Sequence, residues 1–186
     1  FLYSLGGGML LVAGCANQVW SPYFYSLSKN APQNILTSYS RLYYCALSCA
    51  LVFFAIVINL AFQPIIRLIG RELLLYQDSL LELSLIFLSY IVYVPVWHYR
   101  NVILTSGNGA LLFKLSFLAS MLGIVASILL IVNIGKYGVY ISLVCLSVFQ
   151  VALFHLAVRK NKDYFSILFS VFPAVLIYTA LLVLVI

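Results

Sequence analysis

The side chains able to exchange hydrogen bonds or carry charge are few, and several sit in unexpected places. Asn17, Gln18, Asn59, Gln150 and His155 each interrupt a long apolar run. An unpaired amide in hydrocarbon costs several kcal/mol, so polar groups at that depth face protein or a water-filled cavity. Two uses are open to them: lining a path for a hydrophilic substrate, or joining two helices by a hydrogen bond. His98 and Arg100, with Lys29, Arg41 and Lys114, fall near the ends of runs. A cation there either receives an anionic head group or anchors the chain at the membrane surface. Glu82 is the one acid close to the interior of a run. It either couples transport to a proton or cation, or interacts with the positive end of a helix dipole.

None of these residues forms a catalytic set. His98 and His155 lie on different runs without an acid nearby in sequence, and Glu72, Asp78, Glu82 and Asp163 fall at or outside run ends. A metal centre, a hydrolytic triad or paired carboxylates need residues that this chain hardly has. The Gly6–Gly8 run lacks the lysine that follows a phosphate-cradling loop. The expectation is no enzymatic activity, no metal and no cofactor. Cys15, Cys45, Cys49 and Cys145 lie within apolar runs without ligand spacing and read as small buried hydrophobes.

The elements that must position these residues follow from composition. The chain of 186 residues is 65% hydrophobic and 8% charged, with a mean hydropathy of +1.14. A soluble domain carries about 25% charged residues. So little polar surface cannot cover a water-soluble globule, and the bilayer must be the solvent for most of the chain. The net charge of +6 comes from single basic residues between apolar blocks, not from a patch, so nucleic acid is not an expected partner.

A crossing helix needs about 20 apolar residues. Runs of that kind predict six spans, at 1–28, 42–66, 80–100, 114–135, 137–158 and 164–186. Strands are excluded because an open sheet in lipid leaves backbone groups unpaired. The expected fold is all-α, one polytopic helical bundle without internal repeat. The chain begins at Phe1 and ends within an apolar run, which we read as a portion of a longer protein.

Seven basic residues (Lys29, Arg41, Arg100, Lys114, Arg159, Lys160, Lys162) fall on one side of these spans and three (Arg67, Arg71, Lys136) on the other. The positive-inside rule places the larger set in the cytoplasm. Trp20, Tyr23, Tyr25, Tyr43, Tyr44, Trp97 and Tyr99 fall at the same ends, as an interfacial belt does. Pro95 and Pro173 lie inside spans, whereas Pro22 and Pro64 are placed to end them. Ala119, Gly123 and Ser127, and likewise Ser4 and Gly8, recur at four-residue spacing and read as close helix contacts.

With those motifs in place the chain resembles bacterial polysaccharide flippases, the O-antigen and capsule exporters of the MOP superfamily. The run YSLGGGMLLVAGCANQVWSPYFYSL is similar to a helix of their second lobe that ends in a Q-x-W-x-P-Y pattern, matched by Gln18, Trp20, Pro22 and Tyr23. QPIIRLIGRE resembles an external turn of that lobe. NIGKYGVYIS resembles a P-x-Y-G-I-x-G-A turn through Tyr137, Gly138 and Val139, with the proline replaced and Ile141 in place of the second glycine. The resemblance implies a two-lobed transporter of which this chain is the C-terminal lobe. It further implies a lipid-linked oligosaccharide substrate, membrane lipids as surroundings, alternating access and a bacterial cytoplasmic (inner) membrane location. A drug or small-solute antiporter of the same superfamily is the first alternative. A membrane-embedded glycan polymerase or acyltransferase is the second, and a non-transporting scaffold the third.

Overall fold

A computed structural model describes the chain except residues 70–75, 77, 160–164 and 186. Arg71, Glu72, Lys160, Lys162 and Asp163 lie outside the described residues, as does the QPIIRLIGRE segment beyond Ile69. The described chain is helical with no strand, as the apolar runs require. Its helices are α1 (Leu2–Asn30), α2 (Gln33–Ile69), α3 (Leu80–Thr105), α4 (Gly109–Ile134), α5 (Lys136–Val158) and α6 (Leu168–Val185). Four of them, α2 to α5, are long and apolar enough to cross a membrane. The protein is a multi-pass membrane protein built as a helical bundle. The helix α6 is apolar but shorter, and α1 carries its amides and glycines within its length.

Helix boundaries have local causes. Pro22 and Pro64 do not end their helices, contrary to the sequence expectation; both lie inside. Pro22 has no N–H for the carbonyl of Gln18, but one missing bond does not stop a helix held by its neighbours. The actual stop of α1 is Ala31, extended at φ −113 and ψ 151 because Pro32 follows it. Between α3 and α4 the Asn108 side chain accepts from the Leu111 N–H at 3.0 Å and caps the new helix. Between α4 and α5 the whole connection is Gly135, at φ 70. That left-handed conformation suits glycine, and the turn is tight although the proline and second glycine of the resembling motif are missing.

The helix α3 is the axis of the bundle and packs against all five others. In its most apolar stretch 67% of residues are buried within the protein, against 17–33% in α2, α4 and α5. It is also the least apolar of the four, with a mean hydropathy of 1.8. Burial in protein rather than lipid is what allows that polarity. The opposite case is α4, whose Leu122, Val125, Ile128, Leu129 and Val132 are exposed and suited to lipid.

The small-residue stripe of α4 packs on α5. Ala119 and Gly123 are buried, a Cβ on Gly123 would meet Leu146 at 2.9 Å, and Ser127 donates to Ser142 at 2.9 Å. Ser4 and Gly8 are exposed and form no such seam. The buried face of α1 runs instead through Leu2, Gly6, Met9 and Ala13, with Gly6 against Ile86 of α3. The cysteines correct a second expectation: Cys15, Cys49 and Cys145 are exposed and Cys45 is half-buried. Outside this bundle the solvent is lipid, so a small apolar side chain gains little by turning inward.

Candidate functional site

Among the described residues, α3 is joined to its neighbours by two hydrogen-bonded clusters and an ion pair, besides single contacts of His98 and Tyr99. The first cluster binds α1, α2 and α3 together. The Asn101 amide donates to Tyr44 Oη at 3.2 Å and to Asn17 Oδ1 at 3.4 Å, and Tyr44 donates to the same Oδ1 at 3.4 Å. Ser21, one turn after Asn17, places its hydroxyl 2.8 Å from the Asn17 carbonyl and 3.1 Å from Asn101 Oδ1. Its single hydrogen serves one of these at a time. Trp20 stacks flat on Tyr43, ring centroids 4.4 Å apart, and flanks the cluster.

His98 lies one turn before Asn101 and is fully buried among the rings of Phe24, Tyr44, Tyr99 and Phe165. Its Nε2 donates to the Phe165 carbonyl at 3.3 Å, because a carbonyl can only accept. It therefore ties α3 to the non-helical stretch that leads into α6. The expected rim contact with a head group is overturned: α3 continues to Thr105, which carries His98 inside the protein. Tyr99 Oη meets Nδ1 of His155 on α5 at 3.2 Å.

The second cluster stands near the other end of α3. The Asn59 amide on α2 donates to Ser84 Oγ at 3.0 Å and to Tyr178 Oη at 3.1 Å, and Tyr178 donates to the Ser84 carbonyl at 3.4 Å. The three residues form one wall of a cavity of about 430 Å³ between α2, α3 and α6. Asn59 Oδ1 is sealed behind this wall without a hydrogen-bond partner among the described residues.

The ion pair joins Glu82 of α3 to Lys136 of α5 at 3.2 Å. It is lopsided, with the Glu82 side chain 3% exposed and Lys136 69% exposed. Glu82 Oε2 is buried without a hydrogen-bond partner among the described residues, so the pair satisfies half of the carboxylate.

Of the residues expected to line a path, Asn17, Asn59 and His155 are joined to α3 or its neighbours. Gln18 is exposed and Gln150 half-exposed, and neither belongs to a cluster. The adjacent amides are parted because successive helical residues point about 100° apart. Lys29, Arg41 and Lys114 are exposed and Arg100 half-buried, on the helix ends that carry the first cluster. The aromatic belt is corrected in part: Tyr44, Trp97 and Tyr99 are core residues. Sequence reading missed Ser21, Tyr44, Asn101, Ser84 and Tyr178 as partners. The four-residue spacing of Asn17 and Ser21 signals a shared helix face. Asn101 was hidden because Arg100 closed the apolar window ahead of it.

No family model, curated protein or solved structure matches the chain.

Proposed function

We propose that this chain is part of a transporter that moves a lipid-linked oligosaccharide, an O-antigen or polysaccharide repeat unit, across a bacterial cytoplasmic membrane by alternating access. The observation that most favours this reading is the polar content of α3. Glu82, Ser84, Ser89, His98 and Asn101 are all buried along it. At 1.5 Å per residue, Glu82 and Asn101 stand about 28 Å apart, close to the hydrocarbon thickness of about 30 Å. Helices pack in lipid through small residues and close backbones, with a hydrogen bond here and there between them. Polar groups across the full thickness suit a passage for polar cargo better than they suit a scaffold.

The clusters fit the two gates that alternating access requires. One clasps α1, α2 and α3; the other clasps α2, α3 and α6. Each can part while the other holds. In this reading all six helices cross the membrane, the end with Lys29, Arg41, Arg100 and Lys114 is cytoplasmic, and those cations attract the diphosphate of the substrate.

Deleting the gene in its native bacterium tests the reading. The expected result is loss of surface polysaccharide with accumulation of a complete lipid-linked unit in the inner leaflet. Normal surface polysaccharide excludes a non-redundant export role. Unpolymerised glycan points to the polymerase or acyltransferase. A second reading, an ion-coupled drug or small-solute antiporter, is favoured by one feature: the Oε2 of buried Glu82, which has no hydrogen-bond partner among the described residues. Glu82→Gln would abolish ion-driven uptake of a fluorescent drug in that case.

A further inference from the structure

From the four-residue step between Cys45 and Cys49 on α2 we infer a two-coordinate binding site for a soft monovalent metal ion, copper(I). The site is separate from glycan transport and uses no residue of either polar cluster. Helical residues four apart differ by about 40° in direction, so their side chains are neighbours. The Cys49 thiol lies within reach of the Cys45 thiol. Cys49 is exposed and Cys45 half-buried, so the pair stands at the outer surface of the bundle.

Spacing decides what the pair can do. Cβ atoms four apart on a helix are about 5–6 Å from each other. A disulfide needs about 3.5–4.5 Å, so the thiols cannot oxidise to one without unwinding α2. An ion between them suits the gap, because at about 2.3 Å per metal–thiolate bond an S–M–S bridge spans up to about 4.6 Å. Ligand number then decides the ion. Thiolates select copper(I), zinc and iron–sulfur clusters, and the last two call for four ligands. Among the described residues no third His, Cys, Asp or Glu joins this pair to make a larger ligand group. That leaves copper(I), an ion that two sulfurs in line can hold.

Binding releases both thiol protons and places one cation between two thiolates, so the complex carries a single negative charge. Arg41, exposed and one turn before Cys45 on the same ridge of the helix, offsets that charge. Gln33 and Thr37 continue the ridge to the start of α2. An ion therefore reaches the pair along polar side chains rather than through hydrocarbon.

The test uses the full chain in phosphatidylcholine nanodiscs under anaerobic conditions, titrated with copper(I) against a chromophoric copper(I) chelator. One ion per chain is expected, with two sulfur neighbours in its X-ray absorption spectrum. The decisive variant combines Cys49→Ala with Ala50→Cys, which keeps the number of thiols but turns one about 140° away from Cys45. Ala50 is exposed, so the exchange leaves the packing intact. Binding should weaken at least about a hundredfold, since changes behind a ligand alone cost about 10–100-fold. Cys15→Ala with Cys145→Ala should leave it unchanged. Equal affinity in the shifted variant, loss of binding with Cys15 and Cys145, or no copper(I) retained by the wild-type chain overturns the site. None of these results touches the export phenotype.

Discussion

At the scale of single residues, which atom is left without a partner decides the cost of a change. In the Glu82–Lys136 pair the buried member is the acid and the exposed member is the base. Lys136→Met strands a buried carboxylate, whereas Glu82→Gln leaves an ammonium that remains solvated. We therefore expect Lys136→Met to be the more destabilising of the two, although it alters the more exposed side chain. Unfolding of each variant in a detergent titration checks the order. The same logic governs Asn101. Asn101→Leu removes the donor shared by Asn17 and Tyr44 and should cost about 1 kcal/mol, as interhelical hydrogen bonds in membranes do. Gln18→Leu, on the exposed face of α1, should leave stability unchanged in that assay.

Among the elements, the α4–α5 hairpin depends on approach rather than on polar contact. A Cβ on Gly138 would run into the Leu130 carbonyl, which belongs to helical backbone and cannot move alone. A Cβ on Gly123 would meet only the end of the Leu146 side chain, which can change rotamer. Gly138→Ala should therefore destabilise by about 1–3 kcal/mol, the usual cost of overpacking, and Gly123→Ala by clearly less. Thermal unfolding of the two variants side by side would show the difference. This hairpin meets the rest of the bundle chiefly through α3. Among the described residues, the hydrogen bonds and the ion pair that α3 makes outside its own helix lie with partners 25 or more positions away in sequence.

The whole molecule is an inside-out arrangement relative to a soluble protein: of the four long spans α2 to α5, the most apolar, α4, is the least buried and the least apolar, α3, is the most buried. Its surface is therefore tolerant of apolar change. Replacing exposed Cys15, Cys49 and Cys145 together with alanine should shift stability by less than about 0.5 kcal/mol per site. That cysteine-poor background permits a test of orientation. Single cysteines at Lys29 or Lys114 should react with an impermeant maleimide only after the cytoplasmic side is opened, and one at Lys136 without it. The reverse pattern would invert the charge-based orientation and the direction of transport with it.

Composition and run length by themselves determined the solvent, the helical class and the approximate position of all six helices. Those properties are local, because each helix in lipid closes its own backbone hydrogen bonds. They also singled out Asn17, Asn59, His155 and Glu82 as polar groups in need of a partner. Which partner each takes was decided only in three dimensions. Asn59 meets Tyr178 across 119 positions of chain, and Asn17 meets Asn101 across 84. Periodicity fixes an angle around one helix and carries nothing about which helix lies opposite. For the same reason the sequence placed His98 at a rim and Gln18 beside Asn17 in a path. The rotation of α1 and the central position of α3 put the first inside and the second outside.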